Sequence, residues 1–176
     1  GKRTLLVDLD QQMNATQQAK IDTTDEVTVY DLLTSFDYTA KDGIKHFDGG
    51  DIIPGDVLVS NAESDMAKLD TRLTMLADAM EGIDDDYDYA IIDCPPSLGL
   101  VTRNAMVAAD ELIVPVIPNR SSLKGFTNIQ KCVNSVRRNK RLNPNLRIAG
   151  IVVNMFDGRT SLSRGVVNEL PSIARA

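Results

Sequence analysis

Four short apolar runs constrain the fold of this chain more than any other feature of its sequence. They are rich in Val, Ile and Leu and occupy residues 4–10, 89–93, 111–116 and 148–154. Unbroken runs of this length predict strands that are buried on both faces. Such strands are typical of a parallel sheet that is covered by helices.

The stretches between these runs have helical periodicity. Residues 62–80 carry apolar side chains at spacings of three and four, which predicts one helix with a buried stripe: Met66, Leu69, Leu73, Leu76 and Met80. Further helices are predicted at residues 27–33, 100–109, 123–141 and 160–170, with Pro171 ending the last, and a short strand at 51–53. The alternation predicts a doubly wound α/β fold with a mainly parallel sheet flanked by helices. The 176 residues contain no linker or repeat, so we expect a single domain over residues 1–176.

Charge is distributed unevenly along the chain. Residues 1–90 carry 7 Lys and Arg against 20 Asp and Glu, whereas residues 91–176 carry 12 against 5. A basic second half leaves nucleic-acid binding open, although the fold can also mix the two halves on one surface.

The sequence predicts a cytoplasmic protein without a membrane partner. No apolar run approaches the roughly 18 to 20 residues of a membrane-spanning helix, and Gly1–Thr4 leads into a strand rather than a secretory leader. Cys94 and Cys132 lie far apart and are predicted to be inert core thiols. His46 has no second ligand at metal spacing and is predicted to be a surface or packing residue.

Two of the apolar runs close on an aspartate, Asp10 and Asp93. Ligands of parallel α/β sheets bind beyond the carboxyl ends of the strands. Two carboxylates on one rim suit a hard divalent cation and a polarised water, and P-loop NTPases hold Mg²⁺ through water at such a strand end. An aspartate that merely caps the next turn is the alternative.

Longer segments resemble the deviant-Walker ATPases of the ParA/Soj type. Residues 7–16, VDLDQQMNAT, resemble the family's VDLDPQGNAT, and residues 87–100, YDYAIIDCPPSLGL, resemble its YDYIIIDCPPSLGL Walker B and switch region. Residues 143–160 are similar to its LNPNL…GVLLTMYDGRT. The three matches follow the family's order and span the chain. The sequence is therefore identified as a member of this family, whose fold is that of the P-loop NTPases.

The resemblance implies roles for the carboxylates. Asp10 would orient the water that attacks the γ-phosphate of ATP and lie at the magnesium site. Asp93 would hold Mg²⁺ through water. Asp8 would lie on the same strand face as Asp10 and support Asp10.

The resemblance also implies contacts with nucleotide and DNA. Asn154 would contact adenine, and Pro95 and Pro96 would stiffen a loop that senses the γ-phosphate, although a plain strand stop explains them equally well. Arg159, with Arg164 nearby, would contact the phosphates of non-specific DNA. A plain loop or dimer contact for Arg159 stays open.

A second basic cluster lies at the end of the helix predicted at 123–141. It consists of Arg137, Arg138, Lys140 and Arg141. Cations at a helix C-terminus interact favourably with the helix dipole, so this cluster has a structural explanation.

The sequence departs from the family pattern in three places and lacks one of its motifs. Gln11 replaces a proline, and Met13 replaces a glycine, which restricts φ in the turn after the first strand. Asn119 and Arg120 stand where the family more often has an acidic-aromatic pair. No segment matches G-x-x-x-x-G-K-[ST], and Gly1–Thr4 resembles its tail but leads into a strand. We therefore expect a chain truncated before the P-loop, without the family's first strand, first helix and C-terminal end. In the family fold the missing strand lies between those that contain Asp93 and Val114.

The implied function is a partition ATPase in which ATP and Mg²⁺ close a homodimer that binds non-specific DNA in the nucleoid. A ParB-type centromere-binding protein would trigger hydrolysis, and plasmids or chromosomes would be segregated. A MinD-like membrane-associated cell-division ATPase is one alternative, against which the loop at 157–160 argues. A non-enzymatic interaction module without nucleotide binding is the other.

Overall fold

The computed structural model describes residues 1–119 and 121–174. Their contacts divide the chain into two compact units, Gly1–Ala109 and Asp110–Ala176. The single-domain organisation of residues 1–176 stays a prediction.

The first unit contains one four-stranded sheet. Its strands are β1 (Thr4–Asp8), β2 (Lys45–Phe47), β3 (Gly50–Ile53) and β4 (Tyr89–Asp93), in the order β2-β3-β1-β4. Strands β3, β1 and β4 are parallel, whereas β2 and β3 form an antiparallel hairpin. The helices are α1 (Asn14–Ala19), α2 (Val29–Thr34), α3 (Ala40–Gly43), α4 (Val59–Met66), α5 (Met75–Ala79) and α6 (Leu100–Ala108), with a 3-10 turn at Ile83–Asp85.

The core of the first unit lies on one face of β1. Leu5 and Val7 are fully buried there and belong to one cluster with Leu32, Leu76 and Val101 from the helices. Burying a side chain of this size contributes about 1.5–3 kcal/mol. This packing fixes β1, and therefore the residues that follow it, on a rigid support.

The described residues of the second unit, 110–119 and 121–174, form a two-stranded parallel sheet and two helices. Strands β5 (Glu111–Val116) and β6 (Arg147–Val153) pair with an irregularity between Leu112 and Ile113, and the helices are α7 (Ser122–Arg138) and α8 (Ser161–Ala174). The core consists of buried side chains from both layers: Val114, Val116, Phe126, Val166 and Leu170.

The predicted burial on both strand faces is wrong for β4, β5 and β6. Tyr89 and Ile91 are 59% and 56% exposed, Ile113 is 63% and Val152 is 53% exposed. Successive side chains of a strand point to opposite faces. The core clusters of each unit cover one of these faces, and the apolar composition of the run does not reveal that the other face lies open.

The helix predicted over residues 62–80 is also wrong, because α4 and α5 are separated by a turn. Buried Asn104 of α6 accounts for the break. Its amide nitrogen donates to the carbonyl of Arg72 at 2.8 Å, and its oxygen accepts from the backbone N–H of Leu76 at 3.2 Å. These bonds satisfy backbone groups that a continuous helix would have paired internally.

Other predicted elements are close to the observed ones. The four apolar runs form β1, β4, β5 and β6, whereas α1, α3 and β2 were not predicted. Helix α7 ends at Arg138, short of the predicted residue 141, and α8 continues past Pro171. Parallel-dominated pairing with flanking helices confirms the α/β class. None of the described helices combines the length and apolar character needed to cross a bilayer.

Strand β4 ends the sheet of the first unit, and β5 belongs to the two-stranded sheet of the second unit. Within the described residues β4 pairs with β1 and β5 pairs with β6. An additional strand between β4 and β5 stays a prediction.

Candidate functional site

Three predicted carboxylates meet at the carboxyl ends of β1 and β4. Asp8 lies directly opposite Asp93 in the parallel register. The backbone N–H of Leu9 donates to the carbonyl of Asp93 at 2.8 Å, which continues the pairing one residue past the strand and leads to Asp10. The structure therefore brings Asp8, Asp10 and Asp93 to one edge, as the sequence predicted.

Asp8 is the buried member of this group, with 0% of its surface exposed. Its Oδ2 accepts from the backbone N–H of Thr16 at 2.9 Å and from the Thr16 hydroxyl at 2.7 Å. Its Oδ1 accepts from the backbone N–H of Asp10 at 3.2 Å. A buried carboxylate with three donors is satisfied. Asp8 therefore ties the start of α1 to Asp10, two residues past the end of β1.

Thr16 extends this network to Gly55. The Thr16 hydroxyl accepts from the backbone N–H of Gly55 at 2.8 Å. A Cβ at position 55 would lie 3.1 Å from Cγ and 3.2 Å from Oδ2 of Asp8, so the close approach favours glycine. Neither Thr16 nor Gly55 was predicted from the sequence. No local pattern marks them, because both reach Asp8 through tertiary packing.

Asp10 lies in a tight turn and is half-buried. Its Oδ1 accepts from the backbone N–H of Gln12 at 3.0 Å, and its carbonyl accepts from the N–H of Met13 at 2.8 Å. Met13 itself adopts φ 55° and ψ 32°, the left-handed conformation. A side chain in this region costs about 1–2 kcal/mol, so the turn keeps the geometry that a glycine would adopt freely.

Asp93 is solvent-exposed at the end of β4. Partial desolvation, followed by the nearby charges of Asp8 and Asp10, raises the pKa of its carboxyl. Like charges at one edge disfavour ionisation, and a cation there would relieve the repulsion. The electrostatics of this edge therefore favour a bound cation.

The residues present fit a water-mediated magnesium ion. Among residues 1–119 and 121–174, no group of three or more His, Cys, Asp or Glu side chains is arranged to hold a metal directly. Both oxygens of Asp8 already accept hydrogen bonds, so Asp10 and Asp93 are the carboxylates of this edge that can bind the ion. Magnesium keeps several waters and binds one or two carboxylates together with substrate phosphates.

The predicted nucleotide contacts lie in both units. Pro95 and Pro96 follow β4, next to Asp93. Asn154 follows β6 in the second unit, where its backbone N–H donates to the carbonyl of Val116 at 2.9 Å and its Oδ1 accepts from the N–H of Met155 at 2.9 Å. The roles of these residues stay predictions.

Arg159 and Arg164 differ in their electrostatic surroundings. Arg159 donates from Nε and Nη2 to the two oxygens of Asp157 at 3.0 and 3.1 Å. These bonds lower the pKa of the Asp157 carboxyl. Arg164 is exposed on α8 and forms no salt bridge within the described residues. The charge of Arg159 is thus partly compensated within its own loop.

The remaining reactive side chains agree with their predicted roles. Cys132 is buried, and burial together with the charge of Asp93 raises the pKa of the Cys94 thiol to about 12. His46 is exposed and contacts Asp51, which also accepts from the Tyr87 hydroxyl at 2.7 Å. The Cys94 thiol is therefore not poised for reaction at neutral pH.

The chain matches known proteins over most of its length. The family model described as AAA domain matches residues 1–148. The sporulation initiation inhibitor protein Soj of Bacillus subtilis is 39% identical over 178 residues, covering 99% of this chain and 69% of Soj. The chromosome partitioning protein ParA of Caulobacter vibrioides is 37% identical, covering 97% of this chain and 64% of ParA. The chain belongs to the ParA/Soj family of partitioning ATPases.

Solved structures share the fold of this chain. A cobyrinic acid a,c-diamide synthase from Mycobacterium smegmatis, solved with a bound ATP analog and magnesium, superposes with a TM-score of 0.87 over 98% of this chain and 70% of its own, at 31% identity. A variant of Cyanothece McdA, solved as an ATP complex, has a TM-score of 0.88 over 99% of this chain and 69% of its own. At 20% identity, McdA shows the fold alone.

The chain spans about two thirds of the length of these relatives, between 64% and 69% for Soj and ParA.

Proposed function

We propose that the natural protein carrying these residues is a partition ATPase that binds ATP and Mg²⁺ at the edge formed by Asp8, Asp10 and Asp93. The observation that carries the proposal is the placement of Asp10 on a fixed turn beside Asp93. Asp8 ties that turn to buried Thr16, and β1 pairs with β4 in a packed sheet. Hydrolysis requires a carboxylate held within a narrow range of positions, which this arrangement provides.

Each residue of the site has a separate role in this proposal. Asp10, with Oδ1 occupied by the Gln12 amide, orients the attacking water through its other oxygen. Asp93 would hold Mg²⁺ through water. The bound ion would neutralise negative charge on the phosphates of ATP. Asp8 touches neither group and acts by positioning Asp10. Pro95 and Pro96 limit the loop after Asp93, and Asn154 contacts adenine.

The proposal extends to partners. The relative from Caulobacter vibrioides is named a chromosome partitioning protein, and the second half of this chain is basic. We propose a homodimer that binds non-specific DNA in the cytoplasm, with Arg159 and Arg164 contributing, and that responds to a ParB-type centromere-binding protein.

Replacing Asp10 by Ala in the natural protein tests the proposal. Turnover should fall by about 10²–10⁴-fold, the contribution of a group that positions and deprotonates a nucleophile. ATP binding and dimerisation should stay close to wild type. Asp84, exposed on a 3-10 turn, offers a matched control, since Asp84→Ala should leave turnover unchanged. Turnover of Asp10→Ala within a factor of two of wild type would contradict the proposal.

A further inference from the structure

Helix α7 carries a straight row of cations. Lys124, Lys131 and Arg138 are spaced seven residues apart and are all exposed. Seven residues are close to two helical turns, so the three side chains lie on one face over about 21 Å. We define this row, with Asn128, Asn134 and Ser135 between its members, as the cationic stripe.

The cationic stripe has no acidic neighbour along the chain. The sequence contains no Asp or Glu between Glu111 and Asp157. These two flanking carboxylates are already paired, Glu111 with Arg147 and Asp157 with Arg159. Within residues 1–119 and 121–174, no salt bridge involves a member of the stripe. The positive charge of the stripe is therefore not compensated by an ion pair within these residues.

The helix dipole does not explain the stripe. Cations are favourable in the last turn of a helix, which accounts for Arg138. Lys124, however, is the third residue of α7, where the dipole disfavours a cation, and Lys131 lies in the middle. The helix dipole therefore accounts for one of the three charges.

We propose that the cationic stripe binds the phosphate backbone of duplex DNA, independently of base sequence. One DNA strand carries a phosphate about every 3.4 Å of helix axis, so a stripe of about 21 Å runs beside about six phosphates. Asn and Ser side chains, which also contact phosphates, fill the spaces between the cations. Lys131, Asn134, Ser135 and Arg138 line one shallow depression that would accept such a group.

The chemistry of the stripe favours DNA over an acidic protein. The centres of protein interfaces are enriched in buried aromatic and Met side chains together with Arg. None of the large exposed apolar side chains of the described residues lies on α7. The inference rests on the proposed DNA binding and assigns it a surface distinct from the Arg159 loop.

The test measures DNA affinity of the natural protein with ATP and Mg²⁺ as a function of salt, on two duplexes of unrelated sequence. Lys124→Gln, Lys131→Gln and Arg138→Gln combined should reduce the slope of log affinity against log salt by about two to three units on both duplexes. A control that removes three exposed cations of the first unit, Lys2, Lys20 and Lys68, should leave the slope unchanged.

Two further variants keep the test decisive. Asn128→Lys adds a cation to the same face and should raise the slope by about one unit. Arg138→Lys keeps the charge and should keep the slope. ATP turnover in the absence of DNA should be unchanged in all variants, since none touches the carboxylate edge.

Each result has one meaning. A wild-type protein that does not bind DNA overturns both the proposed function and the stripe. Wild-type binding with an unchanged slope in the triple variant and in Asn128→Lys overturns the stripe alone. If the triple variant binds DNA normally but its ATP turnover is no longer stimulated by a partner protein, the stripe proposal is also overturned. The surface would then belong to that protein.

Discussion

The strand-end carboxylates of the first unit and the cationic stripe of the second are held in opposite ways. Asp8 is fully buried and accepts three hydrogen bonds, which fix the turn that carries Asp10. Lys124, Lys131 and Arg138 project into solvent from a regular helix and form no salt bridge within the described residues. One group is defined by its geometry and the other by its charge.

This difference matches two kinds of task. Chemistry requires reacting groups at fixed positions, because a displacement of about 1 Å can cost 10²-fold in rate. Attraction to a polyanion requires only net charge, which acts over a Debye length of about 8–10 Å. The net charges of the two units differ in the same way. Residues 1–109 carry 8 Lys and Arg against 21 Asp and Glu, whereas residues 110–176 carry 11 against 4.

The largest expected effect concerns nucleotide binding by the 176 residues themselves. The carboxylate edge can position water and Mg²⁺, but the sequence contains no P-loop lysine or glycine-rich loop to bind the phosphates. We expect ATP–Mg²⁺ to bind no tighter than about 1 mM, roughly 10³-fold weaker than a micromolar site. Calorimetry on the purified chain measures this, with the natural protein as the control. Micromolar binding would mean that the phosphate site lies elsewhere in these residues.

A smaller effect is expected when the network behind Asp10 is cut. Thr16→Val removes the hydroxyl that donates to Asp8 and accepts from Gly55. Leaving a buried acceptor unpaired should lower the free energy of unfolding by about 1–3 kcal/mol. Denaturant titration checks it, with Thr16→Ser as the variant that keeps the hydroxyl.

The same titration applied to the cationic stripe sharpens the comparison. Lys131→Gln should change the free energy of unfolding by less than about 0.5 kcal/mol, since the residue is exposed. If Thr16→Val and wild type have the same free energy of unfolding, the hydrogen bonds of Thr16 to Asp8 and Gly55 do not stabilise the fold.

The smallest effect concerns the left-handed turn. Met13→Gly should raise the free energy of unfolding by about 0.5–1 kcal/mol, because relief of the positive φ exceeds the extra freedom of glycine in the unfolded chain. Gln12→Gly, at a neighbouring position without positive φ, should instead destabilise the protein. If both glycine variants lose stability equally, the conformation of Met13 carries no strain.

The sequence predicted those parts of the site that depend on strand ends. An apolar run followed by Asp fixes where a carboxylate emerges from a sheet, so Asp10 and Asp93 were placed together correctly. Thr16 and Gly55 reach Asp8 from distant positions through tertiary packing, which no local pattern encodes.

Features of the fold that depend on tertiary packing were also not predicted from the local sequence. Runs of Val, Ile and Leu located β1, β4, β5 and β6, yet the exposure of Ile91 and Ile113 depends on what covers each face. The apolar spacing of residues 62–80 predicted one helix. Asn104, from a helix later in the chain, stabilises the turn that divides it.

The dependence of ATP turnover on Mg²⁺ tests the central claim most directly, namely that Asp10 and Asp93 form one magnesium–nucleotide edge. Turnover of the natural protein is measured over a range of Mg²⁺ concentrations for wild type, Asp93→Asn and the exposed control Asp84→Asn. Asp93→Asn should need about 10- to 100-fold more Mg²⁺ for half-maximal turnover, the usual cost of losing a carboxylate that acts through water. Wild-type magnesium dependence and wild-type turnover in Asp93→Asn would contradict the account.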